Sequence, residues 1–456
     1  MMSFSLHSRS PFFLLFLLTP LLVSSQDKSS SIYRYARTVV DTLASPSMHG
    51  RGYVNEGEKI AAAYLEGQFK SIGLKFWGAG YRQEFHLDVN TFPGDMEMEY
   101  CMLDDRSCSQ DHNHAPGSAF ILDPSSPSIK GKYQIVRADS SSVKDYQSVG
   151  FFKRNIYENQ FLYIDTTAIK DKELRDGLLS MISNPPTGIK GIIVRKKCST
   201  PNCNALGPWD VSSSQNTIPV IYSVGVPNDH VDMVQVKIKA KLISNYPTQN
   251  LIAYIPGTQH PDSFIVFTAH YDHLGQMGSD TYFPGANDNA SGCAMLLSVA
   301  KYYSQPDHAP KYSVAFMAFS AEEAGLLGSK YYTDHPFFPL KQIKFLINMD
   351  IMGTGDEGIT VVNGTEFKTP FEALQKLNEK GHFLPEVKIR GKAANSDHYP
   401  FYMKGVPDFF IYTRGGIKAY HDIYDKSATL PLTKFEDVFH LITDFESWLE
   451  SGAKGN

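Results

Sequence analysis

Four near-continuous apolar runs, at residues 264–268, 314–319, 345–349 and 409–413, dominate the second half of the chain. Strands buried on both faces read that way, so the runs predict an α/β architecture with a mostly parallel central sheet flanked by helices. Between the first two runs, residues 290–303 carry Met295, Leu296 and Val299 at helical spacing. Upstream, the pattern predicts a short helix at 33–43 and a longer one at 55–72, whose apolar stripe is Ala61, Leu65, Phe69 and Ile72. Gly73 then stands where a left-handed C-terminal cap belongs. From about 92 to 246 the character changes. Short apolar runs at 133–136 and 191–194 are separated by turn-forming stretches such as PSSP at 124–127 and NPPTG at 184–188. We expect a β-rich unit at 93–246, inserted between the segments 26–92 and 247–456 of the α/β domain. The length of 456 residues allows this, since domains average about 150 residues.

The first 25 residues read as a signal peptide. Arg9 supplies positive charge, residues 12–23 an apolar run, and Val23, Ser24 and Ser25 a small-residue cleavage site. That run is shorter than the ~20 residues of a membrane span, so a secreted or periplasmic protein is expected, with no membrane span. A net charge of -5 with no long basic run gives no reason to expect nucleic acid as a partner. A small or peptide substrate fits better. Five cysteines in an exported chain suggest disulfides, with Cys101 and Cys108, and Cys198 and Cys203, as local pairs, although zinc clips use the same spacings. Cys293 lies in an apolar helical pattern and reads as a buried thiol. His112 and His114 read as surface residues of a polar loop. The sequence leaves the oligomeric state open.

The candidate chemistry clusters just after the predicted strands, where open parallel sheets gather their ligands. In AHYDHLG, at 269–275, His270 and Asp272 are two apart in an extended segment, so the carboxylate can orient the imidazole. GANDNASG, at 285–292, opens a helix, and Asp288 is either its cap or a bridge between two cations about 3.5 to 4 Å apart. SAEEAGLLGS, at 320–329, sets Glu322 and Glu323 side by side at a strand end. Their side chains diverge, so one can bind metal while the other faces the metal's water; a charged first helical turn is the plainer reading. Asp350 in NMDIMG and His421 in YHDIYD follow the last two strands. Each residue has an ordinary structural role, but three carboxylates and two histidines after successive strands make the donor set of a dinuclear zinc site. Two Zn²⁺ ions would be balanced by Asp288, Glu323, Asp350 and one hydroxide, and a neutral cluster can be buried.

These motifs, with SDHYPF at 396–401, stand in the order found in the dinuclear zinc exopeptidases, the family of bacterial leucyl aminopeptidase, aminopeptidase Y and glutamate carboxypeptidase. The chain resembles that family from about 250 to 425, and NEGEKIAAAYLEGQFKSIGL resembles its N-terminal segment. SIKGKYQIV, GIKGIIVRKK and NTIPVIYS are similar to the protease-associated domain that several members carry as an insert. The resemblance implies two Zn²⁺ ions, one on His270 and Asp350, the other on Glu323 and His421, with Asp288 bridging. It implies Glu322 as the general base for attack by a zinc-bound hydroxide, Asp272 as the group orienting His270, and Tyr420 as a donor to the tetrahedral oxyanion. Aminopeptidase activity is expected, with carboxypeptidase or dipeptidase activity as the alternative within the family. A glutaminyl cyclase working with one zinc is a further alternative, as is a receptor-like binding module. The module is disfavoured because every ligand position is filled. Arg414 is a candidate for binding a terminal carboxylate or a plain surface residue. Asp397 and His398 either border the site or serve as a helix cap.

Overall fold

The structure, a computed structural model, describes residues 30–101, 115–197, 206–225 and 231–452. Strands β1 (Arg82–Thr91), β2 (Glu97–Cys101), β3 (Phe120–Leu122), β4 (Ile129–Ala138), β5 (Gln160–Ile164), β6 (Gly191–Arg195), β7 (Val220–Ser223) and β8 (Met233–Ile238) lie in the first half. They are followed by β9 (Lys241–Ile255), β10 (His260–His270), β11 (Tyr312–Phe319), β12 (Ile343–Met349), β13 (Ile359–Val362), β14 (Val387–Ile389) and β15 (Asp408–Thr413). The four apolar runs become β10, β11, β12 and β15. Together they form the parallel middle of an eight-stranded sheet ordered β1-β9-β11-β10-β12-β15-β13-β14. Antiparallel pairings of β9 and β13 flank that middle.

Both faces of the sheet are covered, which explains why the runs do not alternate with polar residues. On one face Ile265, Phe267, Phe316 and Ile347 pack with helices Ser31–Leu43, Gly57–Ile72, Gly292–Tyr303 and Phe435–Glu450. On the other, Val266, Met317 and Leu346 pack with Tyr332 and Phe401 of two shorter helices. Gly73 closes the second helix with φ +83°, its N–H donating to the carbonyls of Lys70 and Phe69. β10 has β11 on one side and β12 on the other. Successive connections therefore diverge there, and a crevice opens at the carboxyl ends of these strands.

The chain leaves this sheet at the end of β1 and returns at the start of β9, where Thr91 pairs with Lys241. The residues between build a second sheet, ordered β2-β8-β4-β5-β6-β7-β3. It is less purely β than expected. Helices Tyr146–Arg154 and Lys172–Ser183 make the crossovers between β4, β5 and β6, which are parallel. Leu174, Leu178 and Met181 form the buried stripe of the second crossover helix. The second sheet shares an apolar cluster with Leu274, Met277 and Phe283 of the loop after β10.

Cys293 is a buried free thiol. Cys101 is disulfide-bonded, whereas Cys108, Cys198, Cys203, His112, His114 and the expected signal peptide lie outside the described residues. No helix among the described residues is long and apolar enough to cross a membrane.

One buried acid makes the stability of this core pH-dependent. Glu446 is 1% exposed and accepts a 2.8 Å hydrogen bond from the Tyr303 hydroxyl. Burial, aided by Glu450, lifts its carboxyl to about 8, against about 4.3 in an unfolded chain. Between those values the folded state holds a proton that the unfolded state has lost. Its contribution is therefore full below about 4.3 and disappears as pH rises towards 8. Glu446→Gln keeps an acceptor and has no charge to bury. Thermal unfolding should show the variant with a higher Tm than the parent at pH 8, near-equal Tm values at pH 4.5, and a shallower slope between. Parallel slopes would refute this.

Candidate metal centre

His270 is the last residue of β10, Glu322 and Glu323 follow β11, Asp350 follows β12, and His421 lies in the loop beyond β15. Asp288 sits in an irregular turn before helix Gly292–Tyr303, with a cis peptide to Asn289. Asp288 does not cap that helix. Asn289 Oδ1 takes the Gly292 N–H instead, at 2.9 Å, so the Asp288 carboxylate is free for other partners.

The five expected donors converge. His270 Nε2 lies 3.3 Å from Asp288 Oδ1 and 3.5 Å from Asp350 Oδ1. His421 Nε2 lies 3.2 Å from Asp288 Oδ2 and 3.1 Å from Glu323 Oε2. A tetrahedral divalent ion with bonds of about 2.0–2.1 Å has ligand-to-ligand edges of about 3.3 Å. These four histidine–carboxylate separations match edges of two such tetrahedra, with one oxygen of Asp288 in each. Asp350 Oδ1 is buried and has no hydrogen-bond partner, as an atom reserved for a cation would be. Burial works against the charge on Asp288, yet His270 and His421 hold it well below the usual carboxylate range. The residues present therefore fit a pair of divalent ions.

Around these donors lies a set of supports. The Asp272 carboxylate accepts the backbone N–H groups of Glu322, at 3.1 Å, and Glu323, at 3.3 Å. This qualifies the expectation that it orients His270. Nδ1 of that imidazole is 3.6 Å from Asp272 Oδ1 and closer, at 3.2 Å, to the Asp272 carbonyl, because the carboxylate is engaged with the glutamate turn. His273, also within AHYDHLG, donates from Nδ1 to Glu323 Oε1 at 2.7 Å and fixes that carboxylate. Ser396 donates to Asp350 Oδ2 at 3.1 Å and accepts from Asn348.

The Asp288 turn is gripped from two sides. Asp425 accepts the backbone N–H groups of Asn287 and Asp288. The fully buried guanidinium of Arg51 donates to the carbonyls of Leu43, Tyr271, Pro284, Gly285 and Asp288 at 2.7 to 3.0 Å. Gly285 has φ +56°, and a Cβ there would lie 2.1 Å from the Asp288 carbonyl oxygen, so the turn closes only with glycine. No local pattern marks either role: Arg51 has no motif around it, and nothing in YHDIYD ties Asp425 to the Asp288 turn.

A cavity of about 170 Å³ opens on this cluster. Its wall includes Glu322, Ile351, Phe410, Tyr412 and Tyr420 beside His270, Asp288, Asp350 and His421. Tyr420 is 48% exposed and its ring stacks on that of His421 at 4.0 Å. Glu322 lines the cavity, and its carboxylate comes within 4.8 Å of donor atoms of His270 and Glu323. Burial raises its carboxyl well above the ordinary value; His270 opposes this, while Glu323, Asp397 and Asp350 add to it. Asp397 is buried and stands at the start of helix His398–Met403 without making a capping bond, and both its oxygens lack a partner. Arg414 does not line the cavity: it pairs with Glu386 and the Glu357 carbonyl.

Residues 250–445 match the model of peptidase family M28. Aminopeptidase YwaD of Bacillus subtilis (strain 168) is 30% identical over 230 residues, which is 48% of this chain and 47% of that protein. The chain thus spans about half the length of that relative. Among solved structures, a peptidase M28 precursor from Shewanella amazonensis superposes with a TM-score of 0.66 at 17% identity, covering 94% of this chain and 95% of the other. A zinc aminopeptidase from Bacillus subtilis gives 0.63 at 19% identity, covering 91% and 94%. At these identities the superpositions show a shared fold.

Proposed function

We propose, from the match of residues 250–445 to the model of peptidase family M28, that the protein is a zinc exopeptidase that removes residues from the amino end of peptides. The observation that carries this reading is Asp288, whose two oxygens each complete a donor triad with tetrahedral edges. His270, Asp288 and Asp350 would hold one Zn²⁺, and His421, Asp288 and Glu323 the other. Bound there, the ions supply Lewis-acid polarisation of the scissile carbonyl and acidify water.

The chain's own residues do the rest. Glu322 takes a proton from the attacking water at its carboxylate and returns it to the leaving amine. Its position is set by the bond from its own N–H to Asp272. Tyr420, on the cavity wall, donates its hydroxyl to the developing oxyanion. Polarity of the wall favours an amino terminus over a carboxyl terminus. Among the described residues it carries Asp288, Glu322 and Asp350 but no lysine or arginine, so a substrate ammonium finds partners there and a terminal carboxylate does not. The same reading takes residues 1–25 as an export signal and 93–246 as a protease-associated-like insert, supported by the departure and return of the chain at the paired residues Thr91 and Lys241.

A panel of one short peptide with free, N-acetylated and C-amidated ends tests this. Acetylation should abolish cleavage and amidation should leave it within about threefold, since the amide removes only a charge the wall does not bind. Loss on amidation alone would indicate a carboxypeptidase. Ammonia release from an N-terminal glutamine peptide, without hydrolysis of the panel, would indicate a cyclase.

A further inference from the structure

The two imidazoles of the centre are held by different parts of the molecule. Nδ1 of His270 finds its partner two residues along its own loop, at the Asp272 carbonyl. Nδ1 of His421 finds its partners 211 and 212 residues away, on the segment between β6 and β7 of the second sheet. There the Trp209 carbonyl lies 2.8 Å from Nδ1, and Asp210 Oδ1 lies 3.1 Å from it. The Trp209 N–H in turn donates to the His421 carbonyl at 3.0 Å. Since the carbonyl and carboxylate can only accept, they keep a hydrogen on Nδ1 and leave the Nε2 lone pair facing Asp288 and Glu323.

The anchor of this clamp is itself fixed. The Trp209 ring is buried and stacks on Phe283, at 4.7 Å and 17°, in the loop after β10. Its Nε1–H donates to the Leu122 carbonyl of β3 at 2.8 Å. A single indole therefore joins the second sheet, the loop below the centre and the backbone that holds His421. The Asp210 side chain, by contrast, is 65% exposed, and among the described residues its bond is to His421.

We propose that the inserted unit is a working part of the metal centre: its Trp209–Asp210 segment positions His421 and thereby sets the affinity of the His421–Asp288–Glu323 site, leaving the His270–Asp288–Asp350 site alone. This rests on the zinc reading above. It gives the insert a task in the chemistry beyond any role in docking substrates, with Trp209 and Asp210 as positioning residues.

Zinc titration of the full chain against a chromophoric chelator tests it, with His421→Ala marking which of two binding steps belongs to the His421 site. Removing a hydrogen-bond partner of a zinc-bound histidine commonly weakens binding about 10- to 100-fold. Asp210→Ala, with the Trp209 carbonyl still in place, should weaken the marked step by about tenfold and leave the other step unchanged. Asp210→Asn, which keeps an acceptor, should recover most of the loss. Trp209→Phe, which retains an aromatic ring but frees it from Leu122, should weaken the same step. A merely structural role would shift the melting temperature without splitting the two steps. Two unchanged steps in folded Asp210→Ala, or equal weakening of both, would overturn the proposal while leaving the zinc reading intact. A wild-type chain with no zinc-binding step would overturn both.

Discussion

Glu322→Gln is expected to keep both metal ions and lose hydrolysis by about 10² to 10⁴ in kcat, the usual cost of removing a general base. Glutamine has the shape of glutamate and cannot accept the proton. The bond that places the turn runs from the backbone N–H of residue 322 to Asp272, so it survives the change. Neither donor triad defined by Asp288 includes Glu322, so metal content should stay at the parent value. The measurement is kcat on a free-amine peptide together with zinc per chain. Undiminished kcat would remove Glu322 from the proton-transfer role. Loss of zinc would make it a ligand, which its proximity to His270 and Glu323, with donor atoms within 4.8 Å, makes a real alternative to test.

Asp288→Asn should have the larger effect. One carboxylate gives an oxygen to each triad, and an asparagine has one oxygen and an NH₂ group that cannot bind a cation. Zinc content should fall from two ions to at most one per chain, with activity below detection. The fold should survive, because the turn is held through its main chain: Asp425 takes its N–H groups and Arg51 its carbonyls. Retention of two ions and activity by Asp288→Asn would refute the bridge. Retention of two ions with no activity would confine Asp288 to a role in catalysis.

What sequence revealed of this molecule divides along physical lines. Strands β10, β11, β12 and β15 were legible because a strand covered on both faces has to be apolar throughout, and the convergence of His270, Glu323 and Asp350 follows from their places at the ends of three neighbouring strands. The second sheet was legible as a change of pattern, but its two crossover helices were hidden among turn-rich stretches, although Leu174, Leu178 and Met181 show a helical stripe. Asp288 left two readings open, and the structure removes the capping one because its neighbour Asn289 accepts the Gly292 N–H.

Supports that act across long chain separations left no local signal. Arg51 reaches Asp288 over 237 residues, and Trp209 reaches His421 over 212. A lone arginine or tryptophan has many ordinary uses, and nothing nearby in sequence distinguishes these two. Likewise the bonds from the Asp272 carboxylate to the amides of the glutamate pair, beside its approach to His270, have no counterpart in the spacing of AHYDHLG.

The account depends on His270, Asp288, Glu323, Asp350 and His421 holding two divalent cations. Elemental analysis of the purified full chain, before and after exhaustive dialysis against a chelator and again after zinc is returned, tests this most directly. Two zinc equivalents per chain should be present or readily taken up, peptide hydrolysis should vanish with their removal, and both should return together. A chain that carries no transition metal, takes none up and behaves identically before and after the chelator would contradict it.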